Sequence, residues 1–449
     1  MDRLEELAHK PVGRLLWQYS VPAVVGMLVM ALYNVVDRIF IGQWVGPDAI
    51  AGLAVTFPIM NLATAIGVLV GVGSSSRVSI VLGAGEKRQA ELLLGNAMTL
   101  TLVNAAIYIL IFTIFIDGML HAFGASDTTL PYGRVYMLTL MPGLLLTNIA
   151  FGFNNIMRAS GYPKRAMATM LLGAVVNVVL DPIFIRVFDM GILGAAIATD
   201  IAMAASAWFV LAHFSKPDVA LRFRRGTYGL KKSIVWGIVS IGAAPALVNA
   251  ASCAVNAIVN RSLAEWGGDR AIGAAGIMIT FSSLLVTIVL GICQGMQPVV
   301  GYNYGAGQFH RLKRTYWLAV GAATVVTLVG GVFGVFCPSV IARAFTSDAD
   351  LIAASDYALH TCMVVFPMVG FQVISTAFFQ SIGKAGKSIF LSLSRQVIFL
   401  IPLLLWLPSQ WGLKGVWASF PLSDTVATVA TAALMLWQFK HLSQKTQVQ

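Results

Sequence analysis

The sequence predicts an all-α polytopic membrane protein with twelve transmembrane helices in two parallel six-helix lobes. Hydrophobic residues make up 58% of the 449 positions and charged residues only 11%, against roughly 25% charged in soluble domains. Mostly apolar runs of eighteen or more residues recur along the chain, and the second half repeats features of the first. Such runs are long enough to cross a hydrocarbon core of about 30 Å. The composition excludes a water-soluble globular protein.

The predicted spans follow one another at similar intervals. In the first half they cover 15–40, 50–82, 92–116, 134–157, 166–187 and 191–212. In the second half they cover 233–260, 271–303, 315–337, 356–380, 388–407 and 412–436. The first span is too long for a signal-peptide core and no small-residue cleavage site follows it, so we expect it in the mature protein.

The 30 Lys and Arg residues, which give a net charge of +11, alternate by loop. The termini and every second loop hold 21 of them, and the opposite loops hold six. The positive-inside rule therefore predicts cytoplasmic termini in a bacterial inner (plasma) membrane. Because topology explains this distribution, we expect the lipid bilayer as a partner and no nucleic acid.

An internal repeat divides the chain. Gly83, Ala84 and Gly85 recur as Gly305, Ala306 and Gly307, and Pro22 recurs as Pro245 at nearly the same offset. Six is an even number of crossings, so the copies are parallel, and a cleft between them is the expected binding site. The predicted domains are an N-terminal lobe at 1–212, a cytoplasmic linker at 213–232 and a C-terminal lobe at 233–449.

Motifs for catalysis are missing. Gly386, Lys387 and Ser388 resemble the end of a phosphate-binding loop, but the required first glycine falls at Ser381 and no strand precedes it. The sequence contains no His-Glu-x-x-His and no Gly-x-Ser-x-Gly. We therefore expect no enzyme and no cofactor, and an ion gradient as the energy source.

Acidic residues within spans are costly and therefore informative. Asn177 and Asp181 lie four residues apart on one helix face, and Asp37 and Thr199 lie at similar depths on other helices. These four residues are predicted to converge in one layer of the N-terminal lobe. Their oxygen atoms suit a hard cation, and two close carboxylates favour a proton or a sodium ion between them. They are the predicted cation-coupling residues, and the metal ligands if the ion is sodium.

Structural roles for the same acids remain open. Asp37 has Arg38 as a neighbour for an ion pair, and Asp181 can cap the end of its helix. Asp200 points roughly 100° away from Thr199 and is either a structural hydrogen-bonding group or part of the function.

The C-terminal lobe does not repeat the acidic cluster. Asp424 is better explained as a structural buried partner of Arg395 than as a coupling residue. At the offset that relates Gly83 to Gly305, the four cluster positions become Val259, Phe399, Leu403 and Pro421.

Methionine, asparagine and glutamine side chains supply an adaptable binding surface on helices expected to face the cleft, with ordinary packing as the alternative. The candidate substrate-cavity residues are Met27, Asn34, Met60, Met278, Gln294, Gln297 and Gln372.

The chain resembles the multidrug and toxic compound extrusion (MATE) family over nearly its full length. The resemblance rests on the twelve spans, on Pro22 fifteen residues before Asp37 in NVVDRIFIG, on NVVLDPIFI with Asn177 and Asp181, and on Thr199. It implies alternating access, in which sodium or proton entry drives export of amphipathic drugs and organic cations. The resemblance implies that the four clustered residues are the cation site and that Pro22 bends the first span. Some relatives carry an acidic residue on the seventh span, but here that span, 233–260, has none.

Two other functions compete with drug export, and for any of them we expect a monomer. A flippase for lipid-linked oligosaccharides shares the two-lobe plan, but an anionic pyrophosphate needs several cationic groups. Away from their ends, the spans offer only Arg38, Arg77 and Arg395. An intramembrane enzyme would use Asp37 and Asp181 without any ion gradient.

Overall fold

The computed structural model describes residues 3 to 448, except the side chains at 3, 47, 48, 253 and 443 to 448. Within these residues every regular element is a helix. The α-helices are α1 (Arg3–His9), α2 (Val12–Trp44), α3 (Pro47–Gly83), α4 (Lys87–Ala122), α5 (Leu130–Ala159), α6 (Pro163–Pro182), α7 (Gly191–Ser215), α8 (Lys232–Gly305), α9 (Phe309–Phe336), α10 (Pro338–Arg343), α11 (Ala349–Met363), α12 (Pro367–Ser381), α13 (Ala385–Leu393), α14 (Ile401–Trp411) and α15 (Leu413–Val448). Two π-helical turns, Ile183–Val187 and Ser394–Leu400, extend α6 and join α13 to α14.

The number of membrane crossings agrees with the predicted twelve. In the described chain, ten helical stretches are long and apolar enough to span a bilayer, and the pair α11 and α12, bent by 54°, adds an eleventh. The 74 residues of α8 would extend about 110 Å as one straight helix, far beyond a hydrocarbon core of about 30 Å. Its backbone is non-helical at Gly268, so α8 is two spans and supplies the twelfth crossing.

Repeated glycines end corresponding helices in the two halves. Gly85 after α3 has φ of 78° and Gly307 after α8 has φ of 70°. Gly161 after α5 and Gly383 after α12, separated by the same offset, have φ of 100° and 72°. Positive φ is strained for residues that carry a Cβ atom, so glycine is favoured at these helix ends. The repeat seen in the sequence therefore corresponds to a repeat in backbone conformation.

The first compact unit comprises residues 3–10 and 25–249. Its core is built where α2, α3, α4, α5 and α7 pack together, around side chains such as Ile59, Tyr108 and Met137. The predicted linker 213–232 belongs to this unit. Asn96 of α4 donates to the Thr227 carbonyl oxygen and accepts from the Lys231 amide, so the connection is held against the helices.

The second compact unit comprises residues 11–24 and 250–448. One part of its core surrounds Tyr316, Phe378 and Met435, and another surrounds Trp417 and Phe366. Leu16 of α2 belongs to the first of these clusters.

In two corresponding helices, the first segment belongs to one unit and the remainder belongs to the other. Residues 11–24 of α2 belong to the second unit, and the start of α8, up to Asn249, belongs to the first. Glycines allow close backbone approach in both: a Cβ atom on Gly295 would overlap Ser20, and one on Gly242 would overlap Leu69. Small residues permit such crossings in membranes. The predicted lobes, 1–212 and 233–449, follow the internal repeat. The compact units of the structure instead change within α2, near Pro22, and within α8, near Pro245.

Candidate functional site

Three helices of the first unit place the four predicted coupling residues together. Asn177 and Asp181 lie one turn apart on α6, and the Asn177 Nδ2 donates to Asp181 Oδ1 at 3.3 Å. The same nitrogen lies 3.3 Å from Thr199 Oγ1 of α7 and donates to it. Asp37 of α2 is within hydrogen-bonding range of Asp181. The predicted convergence therefore occurs, while the role of these residues in coupling stays a prediction.

The cluster is rich in acceptors and poor in donors. Asn177 and Asp181 are fully buried and Asp37 is 9% exposed. Three oxygens, Asp37 Oδ1, Asn177 Oδ1 and Asp181 Oδ2, are buried and accept no hydrogen bond from the described residues. Leaving such groups unpaired costs free energy, and two ionised carboxylates in contact repel each other. A proton on one carboxyl or a cation between the oxygens relieves both costs.

The chemistry of these atoms selects the kind of ion. Carboxylate, amide and hydroxyl oxygens are ligands for hard cations. In the described part of the chain, no group of three or more His, Cys, Asp or Glu side chains is arranged to hold a metal. The oxygen atoms of the site therefore suit a proton or a hard cation better than a soft transition metal.

The other intramembrane acids have different surroundings. Arg395 Nε donates to Asp424 Oδ1 at 2.6 Å, which confirms the predicted pair. The guanidinium of Arg38 lies 5.7 Å from the centre of the Phe57 ring, in cation–π range. No ion pair joins Arg38 to Asp37 among the described residues.

The candidate cavity residues lie in different surroundings within their own units. Asn34 is exposed and donates to the Met30 carbonyl oxygen of its own helix at 2.7 Å. Met278 is 4% exposed in the core of the second unit, and Met60 packs beside the core of the first. Gln372 is 5% exposed and donates to the Asp424 carbonyl oxygen and to Thr428. Met27, Gln294 and Gln297 are partly buried.

The sequence reasoning missed two tyrosines near the carboxyl pair. Tyr136 of α5 is 3% exposed and lies within electrostatic reach of Asp37, Asp181 and Tyr33. Tyr33 also lies within electrostatic reach of Asp37 and Asp181. Tyrosines near span ends usually anchor a helix at the membrane interface, so no pattern in the chain indicated that these two lie at the site.

The fold and site define a multi-pass membrane protein made of two repeats, with a buried oxygen cluster in one of them. The family model MatE matches residues 22–183 and 245–406. The matched stretches begin at Pro22 and Pro245, the prolines that correspond in the internal repeat, as expected for a duplicated chain.

Proteins of known function agree with this match. The multidrug export protein MepA of Staphylococcus aureus (strain MSSA476) is 24% identical over 97% of this chain and 96% of its own. A FAD transporter of Shewanella oneidensis is 26% identical over 94% of each chain. The outward-facing structure of a multidrug resistance MATE family transporter of the MOP superfamily has a TM-score of 0.91 at 25% identity, covering 98% of both chains.

The chain therefore belongs to the MATE family of membrane transporters. The predicted family, the all-helical membrane fold and the multi-pass membrane location are confirmed.

Proposed function

We propose that this protein is a cation-coupled antiporter that exports amphipathic, often cationic, drugs and other toxic compounds by alternating access. The coupling ion, a proton or sodium, binds Asp37, Asn177, Asp181 and Thr199. The observation that supports this most directly is the set of three buried acceptor oxygens without donors among the described residues. No other cofactor takes part.

The coupling follows from the free energy of occupying this site. An entering proton supplies about 2.3 kcal/mol from a potential of 100 mV and about 1.4 kcal/mol from one pH unit. Because the carboxyl pair is stabilised by a bound ion, the ion binds it on the side of the membrane where the ion concentration is higher. Pro22, inside α2, lacks one backbone hydrogen bond and provides the bend that links occupancy to helix movement.

Two relatives with different cargo show that the family match alone does not fix the substrate class. MepA exports multiple drugs, and the Shewanella protein transports FAD. The four coupling residues bind the ion in our proposal and leave the substrate open. We favour amphipathic drugs, and the flux assay compares them with FAD and with a lipid-linked oligosaccharide, the substrate class of the competing flippase.

The coupling is tested by flux of a fluorescent organic cation in proteoliposomes, with sodium and pH gradients imposed separately. We expect one gradient to drive uphill transport and Asp37→Asn to abolish it. Asp189→Asn is the matched control, because Asp189 is exposed and outside the helices, with φ of 53°, which asparagine tolerates. Full gradient-driven flux in Asp37→Asn would exclude the proposed site. Turnover of a lipid or peptide by purified protein without a gradient would instead indicate an intramembrane enzyme.

We further propose that the monomeric transporter lies in a bacterial inner membrane with both termini in the cytoplasm, supported by the 21 to 6 distribution of basic residues. In a variant without the four native cysteines, a cysteine replacing the exposed Lys216 should resist an impermeant thiol reagent in intact cells. A cysteine replacing the exposed Asp189 should react. The opposite pattern of labelling would invert the topology.

A further inference from the structure

Arg395 of the second unit is a charged residue far from either end of its membrane span. It lies in the π-helical turn Ser394–Leu400, ten residues after the span begins at Ala385, which is about 15 Å along the helix axis. Its partner Asp424 lies eleven residues after α15 begins at Leu413, at a similar distance from the opposite end of the membrane. Both residues therefore lie near the middle of a bilayer. Turns of π-helix are rare and are frequent at functional sites.

The guanidinium of Arg395 has donor groups that its partner does not use. Its Nε donates to Asp424 Oδ1 at 2.6 Å, and its two Nη atoms donate to no acceptor within the described part of the chain. A guanidinium carries five N–H groups, so four of them are left. The Arg395 side chain is 31% exposed and that of Asp424 only 8%. The guanidinium, rather than the carboxylate, therefore reaches the surface of the unit.

The exposed part of Arg395 does not contact lipid tails. A charged group near the middle of a bilayer is costly in hydrocarbon, and such residues face protein or a water-filled cavity. Long basic side chains reach the membrane interface only from positions near the ends of a helix, and Arg395 is too far from both ends of its span. The exposed guanidinium therefore faces a water-filled cavity at this side of the second unit.

The residues next to the ion pair form a polar layer in the second unit. The Gln372 Nε2 donates to the Asp424 carbonyl oxygen and to Thr428 Oγ1, both at 2.6 Å. The Oε1 atoms of Gln372 and of Gln396, the residue after Arg395, are buried and accept no hydrogen bond from the described residues. Unsatisfied acceptors cost free energy, and water or a donor group of a bound molecule removes that cost. The layer therefore favours a polar ligand.

We infer that Arg395 binds a carboxylate of the transported molecule, so that the substrates include amphipathic zwitterions as well as cations. This inference rests on the proposed function. The N–H groups of the two Nη atoms match the two oxygens of a carboxylate, and such hydrogen bonds are charge-assisted. Asp424 holds the guanidinium in place and balances its charge, so the site suits one carboxylate rather than a diphosphate. A guanidinium with only a structural role in a membrane would have its nitrogen atoms bonded within the protein.

The test compares a rhodamine that carries a free carboxylate with the methyl ester of the same rhodamine, by fluorescence polarisation with the purified protein. Arg395→Gln should weaken binding of the carboxylate form about tenfold or more and leave binding of the ester unchanged. Arg395→Lys should have a smaller effect, because lysine keeps the charge but lacks the planar fork. Arg343→Gln, at an exposed arginine that ends α10, is the control. Equal effects of Arg395→Gln on the two dyes, or no binding of the carboxylate form by the wild type, would overturn the inference.

A double variant keeps the test valid if Arg395→Gln does not accumulate in the membrane. Arg395→Gln alone leaves Asp424 as an unpaired buried charge, whereas Arg395→Gln combined with Asp424→Asn replaces the ion pair with two neutral amides. The double variant should also lose binding of the carboxylate form selectively, and an unchanged ratio of the two affinities would exclude the site. If wild-type flux needs no ion gradient but the selective loss occurs, the proposed function fails and the carboxylate site stands. If flux is ion-driven and both dyes respond equally, only the carboxylate site fails.

Discussion

Replacing Asp181 with asparagine should make the stability of the protein independent of the coupling ion. Asp37 and Asp181 lie within hydrogen-bonding range of each other. Two unit charges about 4 Å apart repel by roughly 4 kcal/mol at an effective dielectric constant of about 20. One bound proton or cation removes that repulsion, and so does a neutral amide at position 181. The empty wild-type site is thus destabilised relative to the empty variant.

The assay is thermal unfolding of purified protein in detergent across sodium concentration and pH. A ligand present at about 100 times its Kd stabilises the wild type by about 2.7 kcal/mol, so its melting temperature should rise with the coupling ion. We expect a flat response in Asp181→Asn, with greater stability than the wild type when no ion is bound. Asp189→Asn, which changes an exposed carboxylate, should behave as wild type. An unchanged ion response in Asp181→Asn would refute the assignment of the carboxyl pair.

Two further substitutions separate coupling from structure. Asp424→Asn unpairs Arg395, whose side chain is only 31% exposed, and should lower the unfolding free energy by about 3 kcal/mol. Efflux by Asp424→Asn, measured per protein surviving in the membrane, should exceed efflux by Asp37→Asn. The reverse order would move coupling to the second unit. Pro22→Ala restores a backbone hydrogen bond and should slow transport while the ion still raises the melting temperature; an unchanged transport rate would remove the bend from the mechanism.

The sequence was most informative where function depends on spacing within one helix. The separation of four residues between Asn177 and Asp181 placed both on one face, and the structure shows them hydrogen-bonded. The cost of burying a charge similarly predicted a partner for Asp424, which is Arg395. Both predictions need only helix geometry and the electrostatics of a low-dielectric medium.

Contacts between helices were harder to predict. The depth argument placed Asp37 beside Asp181. No comparable argument shows that the amide of Asn34, a candidate cavity residue, donates to the Met30 carbonyl oxygen of its own helix. Asparagine side chains often bond to their own backbone, and the sequence does not tell when they do. The repeat identified corresponding helices, but it does not show that residues 11–24 belong to the second compact unit.

The close helix crossings of α8 give a last prediction, in which a small substitution has opposite effects at two sites of one helix. At Gly295 of α8 a methyl group would overlap the Ser20 backbone, whereas at Gly276 of the same helix it meets nothing within 4 Å. Overpacking costs about 1–3 kcal/mol, and alanine is favoured over glycine within a helix by about 0.5–1 kcal/mol. Gly295→Ala should therefore lower the melting temperature and Gly276→Ala should raise it. Because a Cβ atom on Gly242, near the start of α8, would overlap the Leu69 backbone, Gly242→Ala should destabilise the protein as Gly295→Ala does. Stabilisation by Gly295→Ala would show that the crossing of α2 and α8 does not require glycine.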